Sequence, residues 1–119
     1  LVGSEMCIRD RGEFEMALQV LAAVTDAQTH DAESLALRAA VYARLNNHHD
    51  AASSYRLALK LDPGQANWWM GLGLALEHQT LYSSAADAYQ MASSLPLADN
   101  VKTFVHQRLQ QLQNTAGDN

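Results

Sequence analysis

The chain has 119 residues, 48% hydrophobic and 18% charged, a globular composition with no apolar run near the ~20 residues needed to span a bilayer. A formal charge of -5 without a basic cluster excludes a phosphate-backbone footprint, and with it nucleic acid as the main ligand. The single cysteine, Cys7, leaves no thiol from Arg11 onward, which fits an oxidising compartment and a cytosolic one equally well.

Residues 1–10, LVGSEMCIRD, carry no helical or strand periodicity and resemble the translation of a sequencing-library adapter. They are set aside as foreign, which implies a natural chain cut short at this point. In residues 11–30 a stripe of Gly12, Phe14, Ala17, Leu21 and Val24 predicts one helix over 13–24, the second half of a truncated helical pair. The polar stretch 26–31 then predicts a turn, with Asp31 or Ser34 capping the next helix. That helix carries Leu35, Ala39 and Tyr42 on one face. Asn46, Asn47, His48 and His49 break the pattern, Asp50 is a plausible N-cap, and Ala51, Tyr55, Ala58 and Leu61 mark the following helix. Asp62, Pro63 and Gly64 stop it, closing a unit over 31–64.

A second complete unit, 65–97, has Trp69, Leu72, Gly73 and Leu76 on its first helix, then Ala85, Tyr89, Ala92 and Leu95 on its second, with Pro96 at the end. Over 98–113 a last amphipathic helix sets Val101, Phe104, Val105, Leu109 and Leu112 on one side, with Lys102, Gln107, Arg108, Gln110 and Gln111 elsewhere. It reads as a cap over the apolar end of a stack, and 114–119 as a frayed tail.

The two units share a period of about 34 residues. Ala17, Ala51 and Ala85 fall at that interval, as do Tyr55 and Tyr89, Ala58 and Ala92, Leu35 and Trp69, and Ala39 and Gly73. The small residues let helices approach to ~8 Å, and the large ones fill the gaps that remain. A pair of short helices cannot bury its apolar face alone, so the units must stack, leaving a concave and a convex surface. The expected fold is all-α: a right-handed superhelical stack of about two and a half units plus a capping helix.

LxxxAxxY at 35–42, WxxLG at 69–73 and AxxxYxxALxLDP at 51–63 resemble the tetratricopeptide repeat family over roughly residues 12–96. The resemblance implies a non-catalytic scaffold that binds a protein or peptide. A narrower one rests on YRLALKLDPGQANWWMGLGLALE at 55–77 and FVHQRLQQLQ at 104–113, which look like the C-terminal repeats of the MshN family of MSHA-type IV pilus biogenesis proteins. It implies pilus assembly components as partners and a place on the periplasmic side of the inner membrane, the anchor lying outside this sequence.

In the resembled family the first helix of each unit lines the concave groove. The implied candidates are Glu33, Ala36, Leu37, Ala40 and Arg44 in one unit, and Asn67, Met70, Gly71, Leu74 and His78 in the next, with Met70, Leu74 and His78 foremost. Leu37, Met70 and Leu74 offer apolar contact, while Arg44, Asn67 and His78 set polarity. The alternative is that these side chains only pack against the neighbouring helix. Relatives that hold a C-terminal carboxylate use Lys, Arg and Asn at groove positions occupied here by Ala36, Leu37, Ala40, Met70, Gly71 and Leu74, so that clamp is absent.

Trp69 takes the interhelical packing position. Trp68, about 100° around the helix, either covers the preceding helix or stands exposed as an anchor for a partner. His48, His49 and Asp50 are the one cluster with ligand chemistry, but consecutive residues in a turn point apart and zinc needs three or four converging donors. No metal or cofactor is expected, and no nucleophile, acid pair or phosphate loop supports catalysis. The competing readings are a cytosolic adaptor, a substrate-docking arm of a larger enzyme, and a self-association device using Phe14, Leu18, Leu21 and Val24 at the truncated edge.

Overall fold

The computed structural model describes residues 31–117, with side chains as far as Asn114, and before them Gly12, Glu15, Met16, Gln19, Val20 and Ala23, all six helical. The readings of residues 1–10 and of Phe14, Ala17, Leu18, Leu21 and Val24 lie outside the described residues. From Asp31 on, five helices follow one another with no strand: α1 (Ala32–Arg44), α2 (His48–Leu61), α3 (Ala66–His78), α4 (Tyr82–Ser93) and α5 (Asp99–Gly117). Each packs on its neighbour in the chain, and α1 also touches α3. Two helical hairpins and a closing helix thus form an α-solenoid.

Local chemistry sets the helix ends. Asp31 caps α1, accepting the backbone N–H of Ser34 at 3.0 Å, and the bonds it accepts from the Ser34 side chain and, second, from this N–H hold its carboxyl below the usual range. The cap of α2 corrects the expectation. Asn47, not Asp50, precedes the helix; its side chain accepts from the Asp50 N–H at 3.4 Å and donates to the Asp50 carboxylate at 2.6 Å. His48 and His49 therefore belong to the first turn of α2 rather than to the loop. Between α2 and α3 the Asp62 carboxylate accepts from the Gly64 N–H and from Gln65 Nε2, folding the Asp-Pro-Gly stop into an Asx-type turn.

The turns within the two hairpins repeat the same backbone device. Asn46 and Thr80, one period apart, adopt φ of 61° and 62°, and the N–H of the next residue reaches back to the carbonyl of Tyr42 or Leu76. This is the Schellman closure. Asparagine tolerates the left-handed region, whereas a β-branched threonine is strained there. Thr80→Asn is expected to stabilise the chain by about 0.5–1 kcal/mol, read as a raised Tm in thermal unfolding; an unchanged or lower Tm contradicts the strain.

The repeated small residues form the centre of the stack. Ala39, Ala51, Ala58, Ala85 and Ala92 are fully buried. At Gly73 a side chain would force a shift: a Cβ would lie 2.7–3.0 Å from the ring of Tyr89, itself fully buried. Other positions differ from the sequence expectation. Leu61, placed on the inner face of α2, is 60% exposed at the last helical turn. On α5, Phe104 is exposed and Arg108, assigned to the polar side, lies on the packing face with Val101, Val105, Leu109 and Leu112. The helix also continues through residues 114–117, which were expected to fray.

Arg108 faces inward because it has a partner. Its guanidinium pairs with the Glu77 carboxylate of α3, and the same carboxylate accepts the phenol proton of Tyr89 from α4 at 2.9 Å. One acidic side chain thus ties together the last three helices.

Candidate groove formed by the first helices of the repeats

The hairpins present α1 and α3 side by side, and a cleft of about 440 Å3 opens between them. Glu33, Ala36, Leu37 and Ala40 of α1 form one wall, Asn67 and Trp68 of α3 the other, with Gln65 and Tyr55 completing it. These α1 residues share a face by helical spacing of three and four. Ala36 and Ala40 leave the space that larger residues would fill, and Leu37 remains 46% exposed beside it.

A second, smaller pocket of about 180 Å3 lies further along α3, lined by Ala43, His48, Tyr55, Gly71, Leu74, Ala75 and His78. Tyr55 of α2 separates the two. Its ring rests on the backbone of Gly71, where a Cβ would come within 2.5–2.8 Å of the outer ring atoms, and burial raises its phenol pKa. The missing side chain at Gly71 therefore makes a seat for Tyr55.

At the far end of this pocket the imidazoles of His48 and His78 stack, with centroids 4.1 Å apart and planes 8° from parallel. Burial and the neighbouring imidazole lower the His48 pKa. The His48 carbonyl also accepts from Gln79 Nε2 at 3.3 Å. The sequence offered no partner for His48 at position 78, because the contact spans the hairpin junction. Parallel rings do not converge on a common metal position, and no group of three or more ligating side chains exists among the described residues.

Leu37, Asn67 and Trp68 thus meet in the larger cleft, and Gly71, Leu74 and His78 in the smaller. Two candidates lie elsewhere: Met70 is half-buried against the core, and Arg44 is exposed and lines neither pocket. Trp68 is half-buried: it packs on Leu35, Ala36 and Ala58, so it covers the preceding helix, and its remaining surface lines the cleft. Trp69 is half-buried in the core, its indole N–H donating to the Pro63 carbonyl at 2.8 Å. Tyr55 and Gln65 were missed as lining residues. The signal for Tyr55 was present in Gly71, a glycine inside a helix opposite an aromatic position.

Tyr89 has the most displaced acidity of the described side chains. Burial pushes its phenol up to about 12, against about 10 in the unfolded chain. Because the folded pKa is the higher one, the stability that Tyr89 contributes is complete below about pH 10 and is lost as pH rises towards 12. Tyrosinate absorbance is expected to keep a late step, that of Tyr89, which coincides with unfolding at the top of this range; full ionisation of all four tyrosines in a still-folded chain near pH 10 contradicts the burial.

A stack of helical hairpins with a groove along its first helices defines the class: an α-solenoid interaction scaffold. The sequence model of the tetratricopeptide repeat family matches residues 9–66 and again 39–97. The chain belongs to that family. Its structure is similar to the crystal structure of the Sgt2 TPR domain from Aspergillus fumigatus, with a TM-score of 0.73 and 22% identity over 98% of this chain and 76% of that one. At this identity the likeness establishes the fold alone. A comparison with curated protein sequences returns no significant match.

Proposed function

We propose that the chain is a non-catalytic scaffold that holds a segment of a partner protein in the concave cleft between α1 and α3. The supporting observation is the cleft itself. It combines the exposed Leu37 and the accessible part of the half-buried Trp68 with polar groups at Glu33, Gln65 and Asn67, the mixture that a peptide site uses for contact and for orientation. Trp68 is the expected anchor, since a large aromatic at the centre of a contact contributes more than its neighbours.

Trp68→Ala removes that surface and part of the packing on Leu35 and Ala58. Binding of a cognate partner segment is expected to weaken at least tenfold, about 1.4 kcal/mol or more, in calorimetric titration below the variant's own melting transition. Retained affinity contradicts the reading. A reference variant, Leu57→Ala, alters an exposed leucine of α2 that lines neither cleft, and is expected to bind as the parent does.

The finer assignment draws on the sequence resemblance at 55–77 and 104–113. On that basis we place the scaffold in assembly of an MSHA-like type IV pilus, on the periplasmic side of the inner membrane, holding another assembly component. Among the described residues no helix is long and apolar enough to cross a membrane, so an anchor for this placement must come from elsewhere. Sequencing the source gene upstream of Arg11 tests it. A hydrophobic span followed by further repeats supports the pilus reading, whereas repeats without span or export signal favour a cytosolic adaptor, and a catalytic domain a docking arm.

A further inference from the structure

We propose that the larger cleft selects a partner segment through one cationic side chain, lysine or arginine, seated against the Glu33 carboxylate with the indole of Trp68 beside it. This rests on the groove reading and adds to it the charge of the occupant.

Among the described residues, Glu33 is the one charged side chain that lines the cleft. It lies in the first turn of α1, and no described residue forms an ion pair with it. The nearest acidic neighbour, Asp31, is kept ionised by its cap bonds and adds to the local negative charge. On the same face of α1 the first cation is Arg44, eleven residues and about 16 Å along the helix. The remaining lining offers two aromatic rings, Trp68 and Tyr55, and the uncharged amides of Gln65 and Asn67.

A carboxylate and aromatic rings lining the same cleft can recognise a cation twice, by Coulomb attraction and by the ring quadrupole. The small side chains of Ala36 and Ala40 leave a floor for the alkyl stem of a lysine or arginine, whose head then remains near the mouth. A carboxylate in this position would meet Glu33, and no described residue lining the cleft is a cation that could offset it. The charge of -5 on the whole chain acts in the same direction, favouring encounter with basic segments.

The test is an NMR titration of the isotope-labelled chain with short acetylated and amidated alanine–leucine peptides that differ only at a central residue: arginine, lysine, glutamine or glutamate. The arginine and lysine peptides are expected to shift the amides of Glu33 and Leu37 and the Trp68 indole. They should bind up to about fivefold more tightly than the glutamine peptide, the limit for an exposed pair, with the advantage shrinking at high salt. Glu33→Gln should remove this preference while keeping the glutamine peptide's affinity, and Glu33→Lys should invert it in favour of glutamate. Glu33 is exposed, so unchanged resonances in α4 and α5 check that each variant is folded. Binding in the cleft without regard to the central charge overturns the proposal and leaves the groove reading standing. Failure of every peptide to perturb the cleft overturns both.

Discussion

Tyr89→Ala is expected to destabilise the chain by about 3–5 kcal/mol, the range for truncating a fully buried aromatic. A typical domain has about 5–15 kcal/mol in total, so this one substitution removes most of the margin. The ring is completely buried, packed on the bare backbone of Gly73, and its phenol donates to Glu77. Truncation therefore opens a cavity at the α3–α4 contact and takes a hydrogen bond from a carboxylate that is only 14% exposed. Denaturant unfolding should show a much lower midpoint, or no cooperative transition. Tyr89→Phe separates the two contributions: it keeps the packing and is expected to cost about 1–2 kcal/mol, the value of one hydrogen bond to a charged acceptor. If Tyr89→Ala costs less than 1 kcal/mol, the ring is not the keystone of this hairpin.

Glu77→Ala should cost about 2–3 kcal/mol, from loss of the Tyr89 bond and of the Arg108 pair. Arg108 is 32% exposed, so solvent screens its share and the cost stays below that of a fully buried pair. The damage has a direction. α5 is held by its apolar face and by Arg108, and the polar partners of this carboxylate, Tyr89 and Arg108, lie on α4 and α5. Hydrogen exchange should therefore quicken in α5 first, with the α1 and α2 amides following only at global unfolding. Uniform acceleration along the chain would show that the closing helix is not separately held by Glu77.

Much of the stack was legible because a period assigns one environment to residues far apart. Alanine at 51 and 85 and the alanine–glycine pair at 39 and 73 read as close-approach positions, alanine at 58 and 92 recurs at the same period, and all six are buried. The sequence does not show which polar residues leave the pattern for a specific partner. Arg108 read as a surface residue by type; its inward position depends on Glu77, 31 residues earlier, and on Tyr89. Asn47 and Asp50 are both good capping types three residues apart, and they bond reciprocally, so residue type could not say which stands outside the helix. His48 and His78 meet across the junction between hairpins, a distance no local pattern reports.

The groove candidates were named from helical spacing within one family frame. The spacing gives the face of α1 and α3 but not its contents. Tyr55 enters from α2 to divide the groove in two because Gly71 has no side chain to keep it out. Met70 is drawn into the core instead. The result, among the described residues, is a larger cleft lined by one carboxylate and a smaller pocket lined by two imidazoles.

Site-specific photocrosslinking of the full-length protein in its native host tests the central claim most directly. A photoreactive residue is placed at Leu37, on the cleft wall, or at Leu57, exposed on α2 away from both pockets. The account predicts one discrete protein adduct at position 37 that disappears in the Trp68→Ala background, and none at 57. An adduct at 57 with none at 37 would move binding to the convex face and contradict the groove.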